Sequence, residues 1–79
     1  MPPKPTRFRA FEVVIREFLM DPGTVLFHTD YLAEAQRFFQ RACHAPPYDD
    51  VYVVLVGIRR YRRHRRDSGI YDMAIRRPP

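Results

Sequence analysis

The sequence predicts a small α+β domain of order ββαββ, in which a four-stranded, mostly antiparallel sheet has one helix on one face. Three features indicate this fold: segments of alternating apolar residues, one segment with helical periodicity, and one long apolar run. With 79 residues, of which 46% are hydrophobic, the chain has room for one small core. We therefore expect a single domain over 1–79, with a proline-rich tail at 1–8, a folded core at 9–76 and a tail at 77–79.

The first two predicted strands form a hairpin. Apolar and polar residues alternate over 11–16, and Val25 and Phe27 repeat this period of two. Between the two segments, Asp21-Pro22-Gly23 is a typical turn sequence, because proline presets its own φ and glycine accepts a positive φ. Each strand of the hairpin is expected to bury one face.

A helix is predicted over 30–43, where Thr29 or Asp30 can cap the first turn with a side-chain oxygen. Apolar residues recur through this segment at helical spacing, namely Leu32, Ala35, Phe39 and Ala42. The prolines at 46–47 are expected to end the helix, since the residue before a proline is pushed away from helical dihedral angles.

Two further strands follow the helix. Residues 51–58 are apolar on both faces and rich in β-branched side chains, which favours a central strand. Residues 70–75 form the fourth strand, and one of its faces is predicted to hold Tyr71, Met73 and Ile75. An antiparallel sheet of strand order 2-1-3-4 satisfies this pattern.

One helix covers only one face of a sheet, yet Tyr52, Val54 and Val56 are predicted to lie on the other face. Either the tails fold over this second face, or it contacts another chain, or part of it stays in solvent. Two interpretations stay open for these three residues: an apolar interface with a partner or with a second copy of the chain, and partial exposure to solvent.

The basic residues are concentrated near the end of the chain, whose net charge is +5. Residues 1–58 hold six basic and seven acidic residues, whereas 59–79 hold eight basic and two acidic ones, a net charge of +6. The excess is densest in the segment 59–66, which we call the arginine segment. Its residues are Arg59, Arg60, Tyr61, Arg62, Arg63, His64, Arg65 and Arg66.

The arginine segment allows two conformations. A tight turn at Asp67-Ser68-Gly69 would extend the hairpin and set arginines opposite the apolar residues of the fourth strand. A long loop at 59–69 would instead pair 51–58 with 70–75 and match their apolar residues. We predict the loop, and loops of this length in small domains are often functional.

A solvated charged loop and a polyanion-binding site both explain six arginines in one short segment. Guanidinium groups bind phosphate or carboxylate bidentately, and Tyr61 and His64 add surfaces on which bases can stack. The predicted helix carries only Arg37 and Arg41 on its polar face, which makes readout of duplex sequence by a helix improbable. We therefore predict contacts with a phosphate backbone rather than with base edges.

Catalysis, cofactors and metal binding are not predicted. Cys43 and His44 are adjacent in sequence and lack an identifiable acid to orient them, so packing and a helix-end role explain them better. The three histidines lack the paired spacing of a zinc site. The apolar run 51–58 is far shorter than a membrane span, and we expect a non-enzymatic, cytoplasmic protein without membrane contact.

Two classes of function follow from these features. In the first, the arginine segment binds nucleic acid or a nucleoprotein complex. In the second, the chain is an inhibitor that docks on an acidic, nucleic-acid-binding protein surface and blocks it. In its size, ββαββ order and single charged segment, the chain resembles the phage-encoded anti-CRISPR proteins, which block nucleic-acid-guided nuclease complexes. That resemblance implies a protein partner, although many anti-CRISPR proteins are acidic and this chain is basic.

Overall fold

A computed structural model describes residues 8–59 and 69–79 of the chain. Its elements are β1 (Ala10–Arg16), β2 (Thr24–Thr29), α1 (Leu32–Cys43), a 3₁₀ turn (Pro46–Tyr48), β3 (Tyr52–Ile58) and β4 (Ile70–Arg76). The strands in these segments form one antiparallel sheet of order β2-β1-β3-β4. The predicted ββαββ fold and the predicted strand order are therefore confirmed.

The turn between β1 and β2 covers residues 17–23 and ends at a glycine that cannot be replaced without strain. Gly23 has a φ of 83°, a conformation that residues with a Cβ rarely adopt. A Cβ at this position would lie 2.5 Å from the carbonyl oxygen of Ile15. The expected role of glycine in this turn is thus confirmed, and the requirement is both conformational and steric.

The helix begins at Leu32 rather than at residue 30. Its N-cap residue is Tyr31, which makes no side-chain capping bond, so the prediction of a cap at Thr29 or Asp30 is wrong. The Thr29 hydroxyl instead accepts the backbone N–H of Tyr31 at 3.1 Å and donates to the Glu34 carboxylate at 2.6 Å. Thr29 therefore shapes the loop before the helix, because its oxygen reaches the N-cap residue rather than the first turn.

The main core lies between α1 and the sheet. The helix packs against β1, β2 and β3, and Phe38 on the helix stacks on Phe27 of β2 with ring centroids 4.5 Å apart. Buried residues form one cluster here, namely Phe11, Val13, Ala35, Phe39, Ala42, Val53 and Leu55. Of the helix residues predicted to face the core, Ala35, Phe39 and Ala42 are buried as expected, whereas Leu32 stays 37% exposed.

The opposite face of the sheet, which we call the open face, has its own small cluster of Val14, Val54 and Val56. A register shift in β4 brings Ile75 opposite Val54, whereas Tyr71 lies opposite Gly57 on the helix side. The prediction that Tyr71, Met73 and Ile75 share one face is therefore wrong. Its cause is a β-bulge, because one extra residue in a strand reverses the alternation of side chains beyond it.

The antiparallel order gives the sheet two chemically different ends. At one end, Ala10 of β1 pairs with Ile58 of β3, and Ile58 pairs with Ile70 of β4; we call this the basic end. At the other end, Arg16 of β1 pairs with Tyr52 of β3 beside the β1–β2 turn; we call this the turn end. A strand of seven residues separates the two ends by roughly 20 Å.

Candidate functional site

The arginine segment joins two adjacent, paired strands. Arg59 follows β3, Gly69 precedes β4 with a φ of 65°, and the N–H of Arg59 donates to the carbonyl oxygen of Gly69 at 2.8 Å. The predicted pairing of 51–58 with 70–75 is observed, with a register shift between Leu55 and Val56, whereas the conformation predicted for the loop lies outside the described residues. The other predicted binding residues lie outside the described residues, namely Arg60, Tyr61, Arg62, Arg63, His64, Arg65 and Arg66.

Arg59 is exposed and lies against an aromatic side chain of the neighbouring strand. Its Nη1 donates to the Tyr71 hydroxyl at 3.2 Å, and its guanidinium carbon is 5.6 Å from the centre of the Tyr71 ring. These distances are typical of a cation–π contact, which orients a guanidinium and leaves its charge in place. Within residues 8–59 and 69–79, no carboxylate forms an ion pair with Arg59.

Aromatic rings extend this contact into the fold. The Phe8 ring lies 5.9 Å from Tyr71 and 6.0 Å from Phe11, which belongs to the main core. Phe8 also occupies the space beside Gly57, where an added Cβ would come within 2.7 Å of its ring. A row of rings thus connects Arg59 to the core.

A second arginine lies at the same end of the sheet. The N–H of Arg9 donates to the carbonyl oxygen of Ile58 at 2.8 Å, and the Arg9 side chain is exposed. The sequence does not reveal the association of Phe8, Arg9 and Tyr71 with Arg59. The residues are up to 63 positions apart in the chain, so only the register of the sheet brings them together.

The predicted apolar interface lies on the open face. Val54 and Val56 are buried within the chain at 0% and 2% exposure, while Tyr52 and Ile58 pack against them and are partly buried. Of the three predicted interface residues, Tyr52 is the one with accessible surface. Contact of a partner with this face remains a prediction that rests on Tyr52.

An ion pair crosses the open face. Arg16 of β1 donates from Nη1 and Nη2 to the two carboxylate oxygens of Asp72 on β4, each at 3.0 Å. Since β3 lies between these strands, the pair passes over Val54. The Arg16 side chain is only 10% exposed and that of Asp72 35%. Such a bidentate pair has a fixed geometry and ties the two strands together across their common neighbour.

The residues weighed for catalysis have structural contacts. Cys43 is partly buried and packs against the main core, and the His44 ring donates from Nδ1 to the carbonyl oxygen of Gln40 at 2.9 Å. Within the part of the chain that the structure describes, no three metal-ligating side chains cluster. In that same part, no helix has the length and apolar character needed to cross a membrane.

Comparison of the chain with protein-family models, with curated proteins and with solved structures finds no match.

Proposed function

We propose that the chain is a non-enzymatic binding protein whose arginine segment engages a polyanion, with nucleic acid or a nucleoprotein complex as the partner. One observation above all supports the proposal: six arginines fall within eight residues, while residues 1–58 have a net charge of −1. A basic segment on a near-neutral scaffold concentrates its field at one site, which favours polyanions.

The contacts of Arg59 agree with such a role. Its charge has no carboxylate partner among the described residues, and the exposed Arg9 lies at the same end of the sheet. Tyr71 contacts the Arg59 guanidinium through its ring and its hydroxyl, and the remaining N–H groups of a guanidinium can donate to phosphate oxygens. An acidic protein surface offers carboxylates to the same groups, and docking there to block nucleic-acid binding is the second candidate function.

The dependence of affinity on salt tests the proposal directly. Binding of the full chain to a short fluorescent DNA duplex should weaken steeply as salt rises from about 50 to 200 mM, because each phosphate contact releases counterions. Four phosphate contacts predict a log–log slope of roughly −0.9 × 4, or about −3.6. Anisotropy titrations of duplex and single-stranded RNA in the same buffers show which nucleic acid is preferred.

A matched pair of variants separates the arginine segment from overall charge. Arg62→Gln with Arg63→Gln should lower the magnitude of the slope by about 1.8, since two contacts of about 0.9 each are lost. Arg37→Gln with Arg41→Gln changes the net charge equally, but on the outer side of the helix, and should leave the slope unchanged. A flat slope for the unmodified chain, or equal losses in both variants, would contradict nucleic-acid binding through the segment.

A further inference from the structure

The β1–β2 turn exposes three consecutive apolar side chains at the turn end of the sheet. Phe18, Leu19 and Met20 are 68%, 39% and 93% exposed. Single exposed apolar residues are common on protein surfaces, but turns usually contain glycine, proline, asparagine, aspartate or serine. Three adjacent large apolar residues at a turn therefore form a contact surface that folding alone does not require.

Hydrogen bonds fix the backbone that bears these side chains. The N–H of Asp21 donates to the carbonyl oxygen of Phe18 at 3.0 Å, and the N–H of Phe18 donates to the Asp21 carboxylate at 3.3 Å. Arg16 Nη1 also donates to the carbonyl oxygen of Leu19 at 3.3 Å. The turn is closed on itself and attached to the strand that precedes it.

The Arg16 side chain, which attaches the turn to β1, is itself held in place by a contact with β4. The guanidinium that binds Leu19 is the one that forms the bidentate pair with Asp72 on β4. At the other side of the turn, Gly23 packs against the Arg16 side chain, where an added Cβ would lie 2.8 Å from Cγ. Phe18 and Met20 are thus presented on a preorganised backbone, and preorganisation lowers the entropy lost on binding.

Four carboxylates outnumber the two arginines at the end of β4 in the part of the sheet that bears these exposed apolar residues. Glu17 and Asp21 flank them in the turn, and Asp49 and Asp50 lead into β3, whose first residue pairs with Arg16. Within the described segments, none of these four carboxylates forms an ion pair. Their negative charge opposes association of two such turns with each other and with anionic surfaces, and it favours a partner with basic side chains.

We propose that Phe18 and Met20 insert into an apolar pocket, bordered by lysine or arginine side chains, on a protein partner. The turn end and the basic end lie at opposite ends of the sheet, so this surface is separate from Arg59 and Gly69, where the described chain meets the arginine segment. One chain can then hold a polyanion at one end and a protein at the other. The proposal does not depend on the polyanion function.

Crosslinking identifies the partner, and the purified partner then tests the contact. The photoreactive residue p-benzoylphenylalanine replaces Phe18 in the full chain. This variant is irradiated in a lysate of the cells that encode the chain, and the crosslinked protein is identified. That protein is then purified and titrated with the unmodified chain and its variants. The double variant Phe18→Ser with Met20→Ser should bind the purified partner at least about tenfold more weakly than the unmodified chain, as loss of central apolar anchors does. Sites of crosslinking on the partner should fall in an apolar pocket with basic neighbours.

Tyr31 provides the matched control, because its exposure of 68% equals that of Phe18. Tyr31→Ser should leave the partner's affinity unchanged within about twofold, and Arg62→Gln with Arg63→Gln should do the same. The variant Phe18→Ser with Met20→Ser and the variant Tyr31→Ser should keep the far-ultraviolet circular dichroism of the unmodified chain, since each changes exposed residues.

Four results would overturn the proposal. The first is the absence of a crosslinked protein, and the second is an equal loss of affinity with Tyr31→Ser. The third is flotation with phosphatidylcholine vesicles that requires Phe18 and Met20, which would assign the turn to a lipid surface. The fourth is self-association, measured by sedimentation velocity, that Phe18→Ser with Met20→Ser abolishes. The turn would then bind a second copy of this chain.

Discussion

The two ends of the sheet use arginine in opposite ways. At the turn end, Arg16 is almost buried, and its Nη1 and Nη2 groups donate to Asp72 and to the carbonyl oxygen of Leu19. At the basic end, Arg59 is exposed and contacts Tyr71, with no carboxylate among its described partners. Arginine content therefore does not measure binding charge, because part of it holds the backbone in place.

Arg76 belongs with Arg16 in this comparison. Its Nη2 donates to the carbonyl oxygen of Tyr48 at 2.8 Å, which joins the end of β4 to the 3₁₀ turn. Both arginines are at the turn end, where each donates a charge-assisted hydrogen bond to a carbonyl oxygen outside its own strand. The turn end is thus the rigidly supported end, and substitutions there should cost more stability than equivalent substitutions at the basic end.

Alanine at the two strand-associated glycines gives the largest expected contrast. Gly23→Ala forces a Cβ against the carbonyl oxygen of Ile15 at a φ of 83°, and it should lower the free energy of unfolding by about 2 to 3 kcal/mol. Gly57→Ala meets the Phe8 ring and the Met73 sulfur, but its φ is not positive, so it should cost only the displacement of side chains, about 1 to 2 kcal/mol. Urea unfolding followed by circular dichroism measures both. An equal or larger loss at Gly57 would reverse the comparison.

The ion pair that spans the open face should show the next largest effect. Asp72→Ala leaves the Arg16 guanidinium nearly buried without its carboxylate, and we expect a loss of about 1 to 3 kcal/mol in the free energy of unfolding. The pair of His28 with Glu12, 3.0 Å apart and more exposed, is the control on the same sheet. Glu12→Gln should cost no more than about 0.5 kcal/mol.

A double-mutant cycle isolates the ion pair from the other contacts of its residues. Arg16→Met retains an apolar chain over Val54, so the cycle of Arg16→Met and Asp72→Ala reports the coupling between guanidinium and carboxylate. We expect a coupling free energy of about 1 kcal/mol or more. Additive losses would mean that Arg16 acts through Leu19 and packing alone, and that the turn is not supported across the sheet.

The fold could be predicted from the sequence because its signals are local. The period of two in β1, the helical spacing of Ala35, Phe39 and Ala42, and the turn at Asp21-Pro22-Gly23 each lie within one element. The strand order 2-1-3-4 was only compatible with the apolar pattern, and the observed pairing of β1 with β3 selects it. The start of the helix was misplaced because Thr29 can serve a loop or a helix with the same hydroxyl, and the backbone path decides between them.

The organisation of the two ends could not be predicted, because it depends on contacts between distant parts of the chain. Arg16 alternates with apolar residues like any solvent-facing side chain, and its carboxylate partner is 56 positions away. The β-bulge that sends Ile75 to the open face depends on the hydrogen-bond register with β3. The arginine segment itself was recognisable, since its charge density is a property of composition.

The smallest expected effect is at Tyr71, and it tests whether the basic end lacks the support found at the turn end. Tyr71→Phe removes the hydroxyl that accepts from Arg59 but keeps the ring beneath the guanidinium and beside Phe8. Because Arg59 is exposed, water replaces the lost hydrogen bond, and the free energy of unfolding should change by less than about 0.5 kcal/mol. Urea unfolding of Tyr71→Phe and of Asp72→Ala in the same buffer compares the free energy of unfolding that is lost at each end of the sheet. A loss above about 1 kcal/mol would show that Arg59, like Arg16, holds the backbone in place, and the basic end would then be a second supported end rather than a surface with free charge.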